Sequence, residues 1–276
     1  HEPYKIFARR RLKLSMERTL ISTIVPKNTV QIHAVLGVCT DNVIDLVTLA
    51  ACLNTVIYDF YIKAYGKEDL YENTLANLPL PSPDIDFTPA LARVLALNAI
   101  GPEFGEIWSK VWNHGFAEQI WTKEDSRLPH GFFNTTKDLK PGYIATNDYV
   151  RRQLFVELDA FVAWSLGISV DLLVALYKLQ FPVMQQYESD TWYDANGNIV
   201  FTNNKGLGAV GFTRAEWENS IKGSAAGKKF YRTIMDDTVP DGPVERTIEY
   251  VAPFDRCDRE QDYETAWKFF EEKFGK

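Results

Sequence analysis

The dipeptide Asn196-Gly197 restricts local structure more than any other pair in the chain. Both residues reach positive φ at little cost, so they favour a tight turn between two antiparallel strands. Short strand-like runs flank them, Thr191-Trp192-Tyr193 on one side and Ile199-Val200-Phe201-Thr202 on the other. The second run leads into Asn203-Asn204-Lys205-Gly206-Leu207-Gly208, a polar loop containing glycine. Helical patterns lie before and after this stretch. The reading is a small ribbon with a polar tip, projecting from a mainly helical body.

That body is read from apolar spacing. From Asp41 to Tyr65, Val43, Leu46, Val47, Leu49, Ala50, Leu53, Ile57 and Phe60 recur every three or four residues, which predicts a helix capped by Asp41 or Asn42. Three prolines within Pro79-Leu80-Pro81-Ser82-Pro83 end any helix there and mark a domain boundary. Phe87 to Trp112 is helical, with a break at Gly101-Pro102. Asn147 or Asp148 caps a helix running to Leu166, Ser169 caps the next, and Thr213-Arg214-Ala215-Glu216 is a capping box. Asp262 to Phe274 closes the chain as a helix, and Arg246 to Val251 is a candidate strand. Upstream, β-branched runs at Thr19–Val25 and Thr29–Leu36 predict two strands. The fold class is α+β and mainly helical. An N-terminal α/β segment covers residues 1–83, and a helical domain with a hairpin near 190–203 covers 84–276.

Charge singles out one segment. Net charge is −7 over 276 residues, which argues against a free-standing, non-specific nucleic-acid binder. Yet Lys5, Arg9, Arg10, Arg11, Lys13 and Arg18 fall within fourteen residues beside a single acid, Glu17. Such a patch can neutralise phosphates, or it can guard a solvated strand edge. Arg151 and Arg152 open a helix, where the dipole disfavours cations unless an anion is near. Lys222, Lys228, Lys229 and Arg232 form a second basic cluster.

Other chemistries lack their residues. There is no HExxH, GxSxG or glycine-rich phosphate loop, and the four histidines are not spaced as metal ligands. Cys39, Cys52 and Cys257 give no disulfide framework, which suits a reducing, cytoplasmic setting. The most apolar stretch, Leu46 to Ile62, is interrupted by Asn54 and Asp59 and reads as a buried helix, not a membrane span. The start His1-Glu2-Pro3-Tyr4 reads as that of a domain cut from a longer protein.

Several stretches, in order, resemble the C-terminal specificity region of adenine-specific DNA methyltransferases. They are Glu17-Arg18-Thr19-Leu20 with Val25-Pro26, Leu49–Ile62, Leu75–Pro81, Leu158-Asp159-Ala160-Phe161-Val162 with Leu166–Ser169, Gln180–Val183, and the TWYDANGNIVFT hairpin. The combination is similar to large methyltransferases of restriction–modification and phage-defence systems, including type IIG enzymes and those of BREX- and DISARM-type systems. The family's catalytic Asn/Asp-Pro-Pro-Tyr/Phe loop is absent, so no catalytic residue carries over. The resemblance implies a target-recognition part. Methyl transfer from S-adenosylmethionine would then take place in an N-terminal methyltransferase domain of the same protein, on double-stranded DNA whose adenine is flipped out. No cofactor is expected on this chain itself.

Residue chemistry, not the resemblance, picks the DNA-contacting candidates. Arg9, Arg10, Arg11 and Lys13 are phosphate contacts, with Arg151, Arg152 and Lys228 behind them. Asn203, Asn204 and Lys205 offer donors and acceptors to base edges. The alternative is a protein-interaction scaffold that docks other defence-system subunits and touches DNA little.

Overall fold

A computed structural model describes residues 3–203, 210–239 and 241–275. The fold is α+β and mainly helical, with three small antiparallel sheets among the described residues. It begins with a three-stranded sheet of β1 (Lys5–Arg9), β2 (Ser22–Val25) and β3 (Val35–Val38), in the order β2-β1-β3. The basic segment therefore contains the central strand. Ile6 and Ala8 are buried against the core, so Lys5, Phe7 and Arg9 take the other face.

The helix expected over Asp41–Tyr65 divides in two, α1 (Val43–Leu53) and α2 (Val56–Tyr65), bent by 72°. The cause is local. Asn54 and Thr55 turn their side chains back onto the Ala50 and Cys52 carbonyls, which ends α1. No single helix among the described residues is long and apolar enough to cross a membrane. The bent pair α1–α2 meets length and composition only, and its buried residues pack into the core.

Then follow α3 (Glu72–Ala76), α4 (Thr88–Asn98), α5 (Gly105–Val111) and α6 (His114–Ala117), with the expected break at Gly101-Pro102. The longest helix of the centre, α7 (Asp148–Ser165), is capped by Asn147, whose Oδ1 accepts from the Tyr149 and Val150 amides. It packs against α4 and against α11 (Arg259–Phe274), with α8 (Val170–Gln180) and α9 (Pro182–Asp190) alongside. One buried cluster joins Tyr4 and Ile24 to Leu95, Phe161 and Phe270. That cluster draws residues from both sides of the largely exposed proline turn at 79–83, where the sequence places a boundary.

The Asn196-Gly197 hairpin forms from β4 (Trp192–Tyr193) and β5 (Ile199–Phe201). Its turn does not project freely. Asn147 donates to the Asn196 carbonyl and the Tyr149 amide donates to the Gly197 carbonyl, which fastens the turn to the start of α7. Gly197 has φ of +85°, and a Cβ there would lie 2.6 Å from Asn147 Oδ1. The buried carboxylate of Asp194 accepts from the Asn196, Asn198 and Val251 amides.

After the capping box at Thr213, α10 (Arg214–Glu216) passes into a single π-turn, Trp217–Ile221. A longer ribbon follows, β6 (Lys229–Asp236) paired over eight positions with β7 (Val244–Val251). Its base shares a second apolar cluster of Val200, Phe201, Trp217, Tyr250 and Phe254.

Candidate nucleic-acid interface

Along the first strand and its continuation, burial alternates. Ile6, Ala8 and Leu12 are buried, while Lys5, Phe7, Arg9, Arg11 and Lys13 reach the surface wholly or in part. An isolated bridge from Arg11 to Asp69 keeps the chain extended past a bend at Arg10. Four cations therefore stand on every second residue but one, with an aromatic ring among them. At about 3.3 Å per residue the row from Lys5 to Lys13 is about 26 Å long, the rise of seven or eight base pairs at ~3.4 Å each.

The cations differ in how they are held. Arg9 donates to the Thr19 carbonyl (3.4 Å) and to Met16 Sδ (3.3 Å), and its Nε is buried without a hydrogen-bond partner. Arg10 is half-buried and its Nε is likewise unpartnered. Arg11 is exposed and pairs with Glu68 (3.0 Å) and Asp69 (3.3 Å). Those bonds favour its charged form. Exposed pairs of this kind contribute little and are screened by salt, so a phosphate can compete for the guanidinium. Lys13 is exposed.

The other expected contacts lie elsewhere. Arg152 is buried, bound by Glu188 and, at 2.5 Å, by Asp262. Burial and its two carboxylate partners leave it no exposed face for a phosphate, which corrects the expectation from its place at a helix start. Here the anion that offsets the helix dipole is supplied by the protein itself. Arg151 is half-buried and donates to the carbonyls of Leu97 (3.2 Å) and Ala145 (3.0 Å), so it serves as a brace between α4 and α7. Burial pushes its pKa down. Asn203 Oδ1 accepts from Arg214 (2.5 Å), an exposed amide–guanidinium pair at the hairpin exit. Asn204 and Lys205 lie outside the described residues. Lys228 is exposed and stands over the Phe230 ring at the base of the ribbon, apart from the N-terminal row.

The row's strand is held by its ladders to β2 and β3, and Thr19 links it to a buried ionic cluster that composition and spacing do not announce. Both oxygens of Asp59, on α2, accept from the Thr19 amide at 3.0 and 3.1 Å. Burial raises the Asp59 pKa, against the pull of Arg18 and Lys63. Asp159, on α7, accepts from the Val56 amide (2.7 Å), supplying the cap that Thr55 does not give α2. It also accepts from the Tyr263 hydroxyl (2.7 Å) and pairs with Arg18 (3.7 Å) and Arg259 (3.5 Å). Glu188 binds Arg259 at 3.0 Å as well as Arg152. Burial works to raise its pKa, but Arg259 and Arg152 outweigh that and hold it below the usual range. Lys123 completes the cluster at Asp262 (2.7 Å). Residues 18–19, 59 and 159 are distant in sequence and meet here.

Beside the cluster lies a cleft of two lobes, about 250 and 210 Å³, that share Glu17, Phe155 and Arg259. Clefts that take drug-sized ligands are roughly 300 Å³ or more, so neither lobe is sized for a whole nucleotide cofactor. Among the described residues no group of three His, Cys, Asp or Glu side chains could hold a metal ion.

Sequence reasoning found one strand of the ribbon, at Arg246–Val251, and missed its partner β6. Phe230-Tyr231-Arg232-Thr233-Ile234 was legible as a β-branched and aromatic run, and Pro240-Asp241-Gly242 as a turn signature. Its cations drew attention to charge instead. No family model, curated protein or solved structure matches this chain.

Proposed function

We propose that this chain is the DNA target-recognition segment of an S-adenosylmethionine-dependent N6-adenine DNA methyltransferase. It holds double-stranded DNA for a methyltransferase domain of the same protein, in the cytoplasm. The observation that carries this is the row of Lys5, Arg9, Arg11 and Lys13 on an extended segment tied down at both sides. A held row presents its charges without ordering them anew for each contact, and phosphate contacts set the register of a protein on a duplex. Support comes also from where the family-like stretches lie. Glu17–Leu20, Leu49–Ile62 and Leu158–Val162 contribute Arg18, Thr19, Asp59 and Asp159 to one cluster. The acidic net charge is compatible with a basic strip on one side, because phosphate attraction acts over about 10 Å in ordinary salt.

The test is the double variant Arg11→Glu/Lys13→Glu. Both side chains are exposed, so the core is untouched. Anisotropy of a labelled 30-base-pair duplex in ~50 mM salt is expected to show binding weakened at least about tenfold. Unchanged affinity overturns the assignment of the row.

A second reading has its own observation. The β6–β7 ribbon exposes Tyr231, Met235 and Val244, and its outer half carries Asp236, Asp237, Asp241 and Glu245 against Arg246. An acidic, partly apolar ribbon repels DNA and suits a basic protein partner. On this reading the chain is an interaction scaffold in a phage-defence complex. Loss of the ribbon between Thr233 and Thr247 then leaves DNA affinity unchanged and releases the partner subunit.

A further inference from the structure

We infer that the two-lobed cleft beside the cation row takes a single unpaired nucleobase. This rests on the reading of the row as a phosphate-binding strip, and it adds a second kind of contact to that strip.

Position comes first. Ser22, in one wall of the cleft, pairs with Ala8 and shares its core-side face, while Ile21, in the same wall, accepts from the Arg9 amide (2.9 Å), and the Arg9 guanidinium donates to the carbonyl of Thr19. The wall formed by Glu17, Arg18, Leu20, Ile21 and Ser22 thus starts beside the row. A strand whose backbone follows the cations meets the cleft wall at Ile21, on the sheet edge beside Arg9.

Chemistry comes second. Leu20, Leu53, Phe155 and Met184 give apolar surface for the faces of a flat ring. Bases stack on aromatic side chains irrespective of sequence, and a guanidinium can share the stack. The Arg18 guanidinium stands 5.9 Å from the Phe155 ring centre. The edge of the ring would meet a mixed set of partners. Arg18 keeps donors to spare, because its ion pair to Asp159 is long at 3.7 Å. Asn54 donates from its amide nitrogen to the Ala50 carbonyl (2.8 Å) and to the Ser22 hydroxyl (3.4 Å), which leaves its oxygen as the acceptor. Glu17 at the mouth disfavours a phosphate there, and Arg152 and Arg259 are committed to Glu188 and Asp262 or Asp159. A neutral ring with donors and acceptors on its edge fits this set better than an anion does.

The probe is a 20-base-pair duplex with a three-nucleotide single-stranded overhang containing 2-aminopurine, compared with a blunt duplex in which 2-aminopurine is paired. The expected result is tighter binding of the overhang duplex, by about tenfold, with at least a twofold change in 2-aminopurine emission that the blunt duplex does not show. Phe155→Leu, which removes the ring and keeps apolar volume, abolishes the emission change. So does Ile21→Trp, which fills the mouth from an exposed position. Neither variant alters affinity for blunt duplex. Equal binding and emission for both duplexes, or a signal that survives both variants, overturns the base site and leaves the phosphate strip standing. Failure to bind either duplex at low salt overturns both.

Discussion

Replacing Asp159 with alanine tests the buried ionic cluster at the centre of the fold. The side chain is fully buried and serves four partners: the Val56 amide, the Tyr263 hydroxyl, Arg259 and Arg18. Loss of the helix cap alone costs about 1 kcal/mol. Removing one side of a buried ionic set leaves an uncompensated charge and costs ~3–5 kcal/mol. The two effects share the same carboxylate and are not additive, so the expected loss is about 4 kcal/mol. For a chain of this size that is a drop of roughly 8 °C in melting temperature. Thermal and urea unfolding by circular dichroism read the loss. Hydrogen exchange reads its place, with faster exchange at Val56 expected before any change in α8. Lys178→Ala, which breaks the exposed pair to Glu260, is the control and should stay within about 0.5 kcal/mol. A loss below ~1 kcal/mol for Asp159→Ala refutes the claim that this carboxylate organises the centre of the fold.

Further consequences can be measured on the same protein. Gly197→Ala places a Cβ 2.6 Å from Asn147 Oδ1 at a φ of +85°, so it should cost about 1–3 kcal/mol in a urea titration. Burial pushes the thiols of Cys52 to about 12 and Cys257 to about 11, while Cys39 is exposed. A thiol reagent at neutral pH should therefore modify Cys39 first, with the other two reacting only on unfolding, as mass spectrometry of the peptides will show. Glu188 is lowered in the folded state, so its stabilisation is present above the usual carboxylate pKa and disappears as pH falls through its folded value. Asp59 acts in the opposite sense, since a raised pKa makes its ionisation a cost to the fold at neutral pH. Glu188→Gln should lower stability at pH 7 and flatten the loss of stability between about pH 5 and 3. An unchanged acid limb contradicts the assignment of Glu188.

The helical half of the fold was legible because its signals are local. The caps at Asn147, Ser169 and Thr213 act within three residues of where they stand, and each accepts the amide bonds that its type predicts. The bend after Leu53 was hidden, because apolar spacing continues across it and the cap for α2 comes from Asp159, about a hundred residues away. The role of Arg152 was hidden for the same reason. Its partners Glu188 and Asp262 belong to other helices, and no spacing rule joins them. In the basic segment the sequence showed the cations and left two uses open. The structure adds the alternation with Ile6, Ala8 and Leu12 that places Lys5, Arg9, Arg11 and Lys13 on the accessible side.

Binding of duplex DNA across a salt series tests the central claim most directly. Four phosphate contacts from the row predict a log–log slope of about −3.6, a loss on the order of 10²-fold in affinity between 50 and 200 mM salt. With Arg11→Glu/Lys13→Glu the slope should fall towards about −1.8. A flat salt dependence, or no binding to duplex at 50 mM salt, contradicts the account.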